Sequence, residues 1–336
     1  MKKLFFISIL ISFFICTFGQ KAKEIKWLTI QQALKLQDSI PKTIMIDMFT
    51  DWCGWCKKMD AETFHNPSIV DYVNENFYAV KFDAEGFDTV VYKGKTLINS
   101  RGGKRQPNDF ALEMLGGRMS YPTIVYIDFE GMVNPVPGYM SAADIEPILI
   151  YFAERINKTA DYQLYVQDFK NTFNPDETAK TSGEINWISI ENCIELMKTN
   201  PKKIFLFVNS EYNNSSKIML GSALRHPTIT DYINKNFYAV KLDFDYQDTI
   251  KFADGNFINE KQQLGYPHQF IMAVLQPEIR LPSIVFFDEA FRIITPVKGY
   301  FPATTIERYL EFFSDNNFKT NEDWEKFNKN FKSKIQ

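Results

Sequence analysis

The chain of 336 residues is written twice. "IKWLTIQQAL" from Ile25 returns as "INWISIENCI" from Ile185, and "DYVNENFYAVKFDAE" from Asp71 returns as "DYINKNFYAVKLDFD" from Asp231. Pro122 of "MSYPTIVYIDFEG" likewise faces Pro282 of "IRLPSIVFFDEAF", all at a constant offset of 160 residues. One extra residue then enters the second copy, so that Gly138-Tyr139 faces Gly299-Tyr300. The tails agree as well, "DYQLYVQDFK" from Asp161 with "DWEKFNKNFK" from Asp323. A copy of about 150 residues has the size of a single domain and is too long for a solenoid unit. The repeat therefore predicts two similar domains in tandem. The connector "FNPDETAKTSGE", Phe173 to Glu184, is polar and carries Pro and Gly, as an exposed linker does. The expected organisation is a first domain over 20–172, a linker over 173–184 and a second domain over 185–336.

Within a copy the local signals alternate. "KTIMIDMFT" is an apolar, β-branched run and predicts a buried strand. A helix is expected from Cys53 to about Phe64, and another from Pro67, where proline suits the first helical position. "FYAVKFDAE" predicts a strand, and "PTIVYIDFEG" with "MVNPVPGY" two strands joined by a tight turn at Gly131. "SAADIEPILIYFAERI" is an amphipathic helix with Ser141 as its cap. The order predicts an α/β fold with one central sheet flanked by helices in each copy. Each copy ends in an extra helix with an aromatic stripe, Tyr162, Tyr165 and Phe169 in the first and Trp324, Phe327 and Phe331 in the second. Each stripe is expected to pack on its own domain.

The opening "MKKLFFISILISFFICTFGQ" lies outside this pattern. Lys2 and Lys3 precede an apolar run from Leu4 to Phe18, and small residues follow, as in a secretory signal peptide over residues 1–19. The run is short of the ~20 apolar residues of a comfortable transmembrane helix, although an uncleaved anchor is the alternative. A mature chain without a later apolar run would be exported, periplasmic or secreted, with no stable membrane insertion. The formal net charge of -3 gives no pointer to nucleic acid. "GKT" at Gly94 lacks the upstream glycine of a phosphate loop, since Thr89 stands there.

Export changes the meaning of cysteine. Beyond Cys16 in the leader there are three, Cys53, Cys56 and Cys193, too few for a disulfide-stapled scaffold. A structural zinc site needs four Cys or His ligands, and His65, His226 and His268 are scattered, so no metal is expected. Covalent haem needs His directly after the pair, where Lys57 stands. Two inert core thiols remain conceivable. The redox reading fits the local structure: a strand ends near Thr50, and Cys53 begins the next helix. Helix N-termini and neighbouring cations lower a cysteine pKa from ~8.5 into roughly the 3.5–7.5 range. Cys53 would attack a disulfide, and Cys56, one turn further in, would resolve the mixed disulfide. The long segment from Glu85 to Met119 contains the basic stretch "KGKTLINSRGGKRQ", either a substrate-facing loop or an ordinary solvated one.

The segment "IMIDMFTDWCGWCKKM" resembles the active-site segment of thioredoxin-fold proteins. It is most similar to the C-terminal thioredoxin-like domain of DsbD and to related exported bacterial proteins, a likeness extended by "DAETFHNPSIVDYVNENF" and by Pro122. The resemblance covers roughly Ile25–Ile156 and Ile185–Phe313. It implies that Asp47 is a buried acid that takes the proton of Cys56. It implies that Pro122 follows a cis bond holding the backbone of Tyr121 open to a substrate strand, and that Trp52 covers the site. Trp52, Trp55, Tyr121 and Pro122 are thus the expected substrate-binding residues. Trp55 departs from the family, which often has Pro there.

In the second copy Trp52 becomes Tyr212, Cys53 becomes Asn213, Cys56 becomes Ser216 and Asp47 becomes Phe207, while Pro282 stays. Cys193 aligns with Ala33 and reads as a buried inert thiol. The expected protein is an exported thiol–disulfide oxidoreductase without a cofactor, acting on protein thiols and disulfides and re-reduced by a membrane electron carrier. Its second domain would bind a client or serve as a scaffold. The rival is a non-catalytic client-binding or assembly protein with a vestigial cysteine pair.

Overall fold

A computed structural model describes residues 23–103, 105–175, 183–252, 255–315, 318 and 324–335. The leader read as a signal peptide and most of the connector lie outside the described residues. In the first half the order is α1 (Ile30–Ser39), β1 (Thr43–Phe49), α2 (Gly54–Glu62), α3 (Pro67–Asn76), β2 (Phe77–Asp83), β3 (Val90–Tyr92), β4 (Lys95–Leu97), α4 (Asp109–Met114), β5 (Thr123–Ile127), β6 (Val133–Pro137), α5 (Ala142–Ala153) and α6 (Tyr162–Phe173). In the second it is β7 (Trp187–Ile188), α7 (Ile190–Thr199), β8 (Ile204–Asn209), α8 (Asn214–Gly221), α9 (Pro227–Asn236), β9 (Tyr238–Asp243), β10 (Ile250–Phe252), β11 (Gly255–Phe257), α10 (Gln269–Leu275), β12 (Ser283–Phe287), β13 (Ile293–Lys298), α11 (Ala303–Ser314) and α12 (Trp324–Asn330).

The two halves build the same sheet. The first has strand order β2-β1-β5-β6 and the second β13-β12-β8-β9-β7. The central strand pairs in parallel with the strand after the helices (β1 with β2, β8 with β9) and antiparallel with the hairpin strand (β1 with β5, β8 with β12). Where the second half adds β7, the first has an isolated parallel bridge from Leu28 to Val80. β1 is buried along nearly all its length because helices cover both faces of the sheet, which is why its sequence is apolar without alternation.

Caps placed by the sequence fix the helices. The Thr29 hydroxyl accepts from the Gln32 amide while the Gln32 side chain accepts from the Thr29 amide, and Ser141 with Asp144 does the same for α5. Asn66 caps α3 ahead of Pro67. The basic stretch is partly ordered as a hairpin rather than a plain loop. β3 and β4 join through Lys93 and Gly94, both at positive φ (47° and 76°), as a two-residue hairpin turn requires. Val90 and Tyr92 anchor that hairpin, the Tyr92 ring meeting Phe110 at 5.7 Å.

Of the two extra helices, α12 follows the expectation and α6 departs from it. α12 packs its stripe on its own half, with Trp324 stacked on Tyr309 at 4.9 Å. α6 instead lies between the halves. Tyr165 donates to the Pro147 carbonyl and meets Tyr151 on one side, and it meets the Tyr300 ring at 5.7 Å on the other. The Tyr300 hydroxyl in turn bonds Asp168. One continuous apolar cluster therefore runs from Met45 and Tyr126 through Tyr165 and Phe169 to Ile218 and Phe286.

Phe207 occupies the central strand of the second half and is fully buried. Replacing it by Asp, the residue of the first copy, puts a carboxyl among Trp187, Phe205 and Ile284. We expect Phe207→Asp to lower stability by at least about 3 kcal/mol at pH 8, and by less at pH 4, where the acid is neutral. Urea unfolding at the two pH values checks this.

Candidate functional site

β1 ends at Phe49, and a turn closed by the Cys53 amide on the Thr50 carbonyl (3.1 Å) delivers the chain into α2. Cys53 is the N-cap of that helix, with extended backbone (φ -74°, ψ 105°). Its sulfur accepts from the Cys56 amide at 3.0 Å, one of the N–H groups that a first turn leaves without an intrahelical partner. Cys53 and Cys56 are joined as a disulfide. Both are almost covered, and an aromatic residue stands out on each side, Trp52 at 52% and Trp55 at 58% exposure.

These two rings are held differently. Trp52 donates from Nε1 to Glu85 Oε2 at 2.8 Å, meets Tyr121 edge-on at 6.1 Å, and lies under the Arg105 guanidinium at 5.3 Å. Trp55 packs against Tyr139 at 5.4 Å, with the Lys58 ammonium over both rings. Tyr139 donates to Glu62, which also pairs with Lys58. The pair thus sits in a shallow groove with two polar-tipped aromatic walls. Trp52 stands half-exposed at one edge of the pair. The Tyr121–Pro122 peptide is cis and the Tyr121 ring faces Trp52.

Asp47 lies behind the pair, in mid-strand on β1, and is 3% exposed. A cavity of about 210 Å³ joins it to the helix, lined by Asp47, Phe49, Thr50, Cys56, Asp60 and Lys81 among others. Burial pushes the Asp47 carboxyl up to about 7, while the Lys81 ammonium pulls it down and the Asp60 carboxylate pushes it up. Lys81 is the register partner of Asp47 on β2, and its ammonium bonds Asp60 at 2.6 Å. The cation is thereby engaged by the more exposed acid and offsets the burial of Asp47 only in part.

The structure brings together all seven residues singled out in the sequence: Cys53, Cys56, Asp47, Trp52, Trp55, Tyr121 and Pro122. It adds Lys81, Asp60, Glu85 and Tyr139, which sequence reading missed, and brings Arg105 of the basic stretch over Trp52. A lysine inside the otherwise apolar strand "FYAVKFD" was the available signal for Lys81. Cys193 lies apart, fully buried on α7, and burial pushes its thiol up to about 12. Among the described residues no three His, Cys, Asp or Glu side chains converge as a metal site would need, and no helix is long and apolar enough to cross a membrane.

A cysteine pair capping the helix after a central strand, opposite a cis-proline loop, belongs to the thioredoxin class of folds. The family model of the thioredoxin-like domain matches residues 30–153. Residues 30–153 thus resemble a thioredoxin-like domain, and the likeness extends to DsbD. The chain is 28% identical over 119 residues to the thiol:disulfide interchange protein DsbD of Vibrio vulnificus, covering 34% of this chain and 16% of that protein. It is 30% identical over 104 residues to DsbD of Photorhabdus laumondii, covering 30% and 15%. The match therefore spans about a sixth of the length of these curated relatives. Among solved structures, the oxidised C-terminal domain of DsbD from Neisseria meningitidis aligns at 20% identity, over 39% of this chain and 97% of that one, with a TM-score of 0.25. A thioredoxin-fold protein from Helicobacter pylori aligns at 20% identity, over 50% and 92%, with a TM-score of 0.29.

Because the Asp47 carboxyl titrates near 7 in the folded chain and near 3.8 unfolded, the folded state keeps a proton that the unfolded state releases between those values. Stability should therefore fall as pH rises from about 4 to about 7, by up to ~4 kcal/mol from this group alone. Asp47→Asn removes that dependence. Urea midpoints of the oxidised wild type and Asp47→Asn, compared at pH 4.5 and 8, measure the difference.

Proposed function

We infer that this chain is an exported thiol–disulfide oxidoreductase that exchanges disulfides with other proteins. Residues 1–19 act as its signal peptide, 20–172 form the redox domain, 173–184 the linker, and 185–336 a second thioredoxin-like domain without thiols. The observation that carries the reading is the Cys53–Cys56 pair at the first turn of α2, with a buried acid behind it across a shared cavity.

The chemistry follows from that placement. In the reduced enzyme the first turn of α2 favours thiolate at Cys53. Cys53 attacks one sulfur of a client disulfide, and the other client sulfur leaves as a thiolate that takes a proton from water. Cys56 then loses its proton to Asp47 and attacks the Cys53 sulfur. The second client thiol is released, the client is reduced by two electrons, and the enzyme holds the Cys53–Cys56 disulfide. A dithiol carrier at the membrane returns the two electrons. Trp52 and Trp55 flank the client strand, and the backbone of Tyr121, presented by Pro122, pairs with it.

Two outcomes are expected. Cys56→Ser should accumulate client mixed disulfides through Cys53, and Cys53→Ser should accumulate none and lose insulin reduction. A Cys53→Ser protein that still reduces insulin would sink the assignment. Secondly, the rate of insulin reduction should rise with pH through about 7 as Asp47 becomes a base. Asp47→Asn should lower it roughly 100-fold and abolish that limb of the profile.

A further inference from the structure

In the first half, the groove beside the cysteines is bounded by the first turn of α2 and by the chain entering Pro122. The second half keeps both walls, as the first turn of α8 and the chain entering Pro282, which also follows a cis peptide. Asn213 takes over the capping task of Cys53: its Oδ1 accepts from the Ser216 amide at 2.8 Å, as the Cys53 sulfur does from Cys56. Between these walls lies the segment Glu154–Thr159, which follows α5 of the first half.

The fit is specific. One oxygen of the Glu154 carboxylate accepts from the Ser215 amide (2.7 Å), the Ser215 hydroxyl (2.5 Å) and Asn213 Nδ2 (2.9 Å), and the other accepts from the Asn214 amide (3.1 Å). This anion meets the positive end of α8. On the opposite wall, Arg280 donates to the Arg155 carbonyl at 2.8 Å, and Glu278 pairs with the Arg155 guanidinium at 3.6 Å. Arg155 has φ 58°, a left-handed backbone uncommon for a non-glycine residue, and this turns the chain into the groove. A Cβ added at Gly299 would meet Thr159 Cγ2 at 3.3 Å. Nearby, α6 closes on α8 so tightly that a Cβ at Gly221 would lie 2.6 Å from Thr172.

The docked segment belongs to the far end of the first half. The Phe152 carbonyl accepts from the Thr43 hydroxyl at the start of β1, whereas the cysteines follow the end of that strand. Seven residues of strand separate the two ends by about 20 Å. The tail of the first half thus sits in the head of the second, and the Cys53 groove stays open.

We propose that the thiol-free groove of the second half is a receptor for this chain's own segment Glu154–Thr159, in which the Glu154 carboxylate takes the place of a client. Its role is to lock the halves head to tail as one body, and it is closed to outside clients while locked. This rests on reading the halves as copies of one fold and not on any redox activity.

The test uses the full chain. Asn213→Asp keeps an equally good helix cap but sets a second carboxylate against Glu154. Amide exchange at Asn214 and Ser215 should accelerate at least tenfold, and the radius of gyration from small-angle scattering should rise, while amides of β8 stay protected. The double variant Asn213→Asp/Glu154→Gln should return both readings towards wild type. Unchanged exchange in Asn213→Asp, acceleration extending equally into β8, or a double variant that recovers nothing would each overturn the proposal. A wild-type chain unable to reduce insulin would sink the redox reading and leave these measurements standing.

Discussion

The first turn of a helix leaves amide N–H groups without intrahelical partners, and in this fold that turn stands where the central strand ends. The chain meets the demand twice with different atoms. In the first half a sulfur accepts from the Cys56 amide. In the second an amide oxygen accepts from Ser216, and a carboxylate from the other half takes Asn214 and Ser215. The same local electrostatics that favour a thiolate in one copy favour a bound carboxylate in the other.

The residue behind the turn follows the same division. Asp47 sits on a strand where an apolar residue would be more stable, and burial shows the cost as a carboxyl that resists ionising. Phe207 fills the equivalent place with a ring that packs near Trp187. The cation survives in both copies, as Lys81 and Lys241 opposite Asp47 and Phe207 on the neighbouring strand. In the first half the Lys81–Asp60 pair keeps the lysine from fully neutralising Asp47. The second copy has Leu220 at the position of Asp60. The second copy thus lacks both acids but keeps the lysine and the strand register.

Much of this was legible in the sequence. The constant offset gave the repeated sheet order, since both copies carry the same buried runs, and the cap at Ser141 and the helix start at Pro67 were readable from short-range chemistry. The β3–β4 hairpin was missed because its turn is Lys-Gly inside a stretch dominated by positive charge. Cys53, Cys56, Asp47 and Pro122 were found through spacing and resemblance. Lys81, Asp60 and Glu85 were not, because each acts across a strand or loop pairing that spacing along the chain does not reveal. The position of α6 was also misjudged. Its aromatic stripe has two buried sides, and helical periodicity reports only that a face is apolar, not whose core it enters.

The difference at one position explains why docking runs in only one direction. Trp55 stands beside Cys53 as a bulky, exposed ring held by Tyr139 and Lys58. Its counterpart is Ser215, fully buried, whose hydroxyl and amide both donate to Glu154. A tryptophan there would occupy the volume that the docked segment fills, and it would remove one of the four donors. The trimmed side chain makes the second groove deep enough to take a chain turn. The larger ring at Trp55 instead stands exposed beside the cysteine pair of the first half.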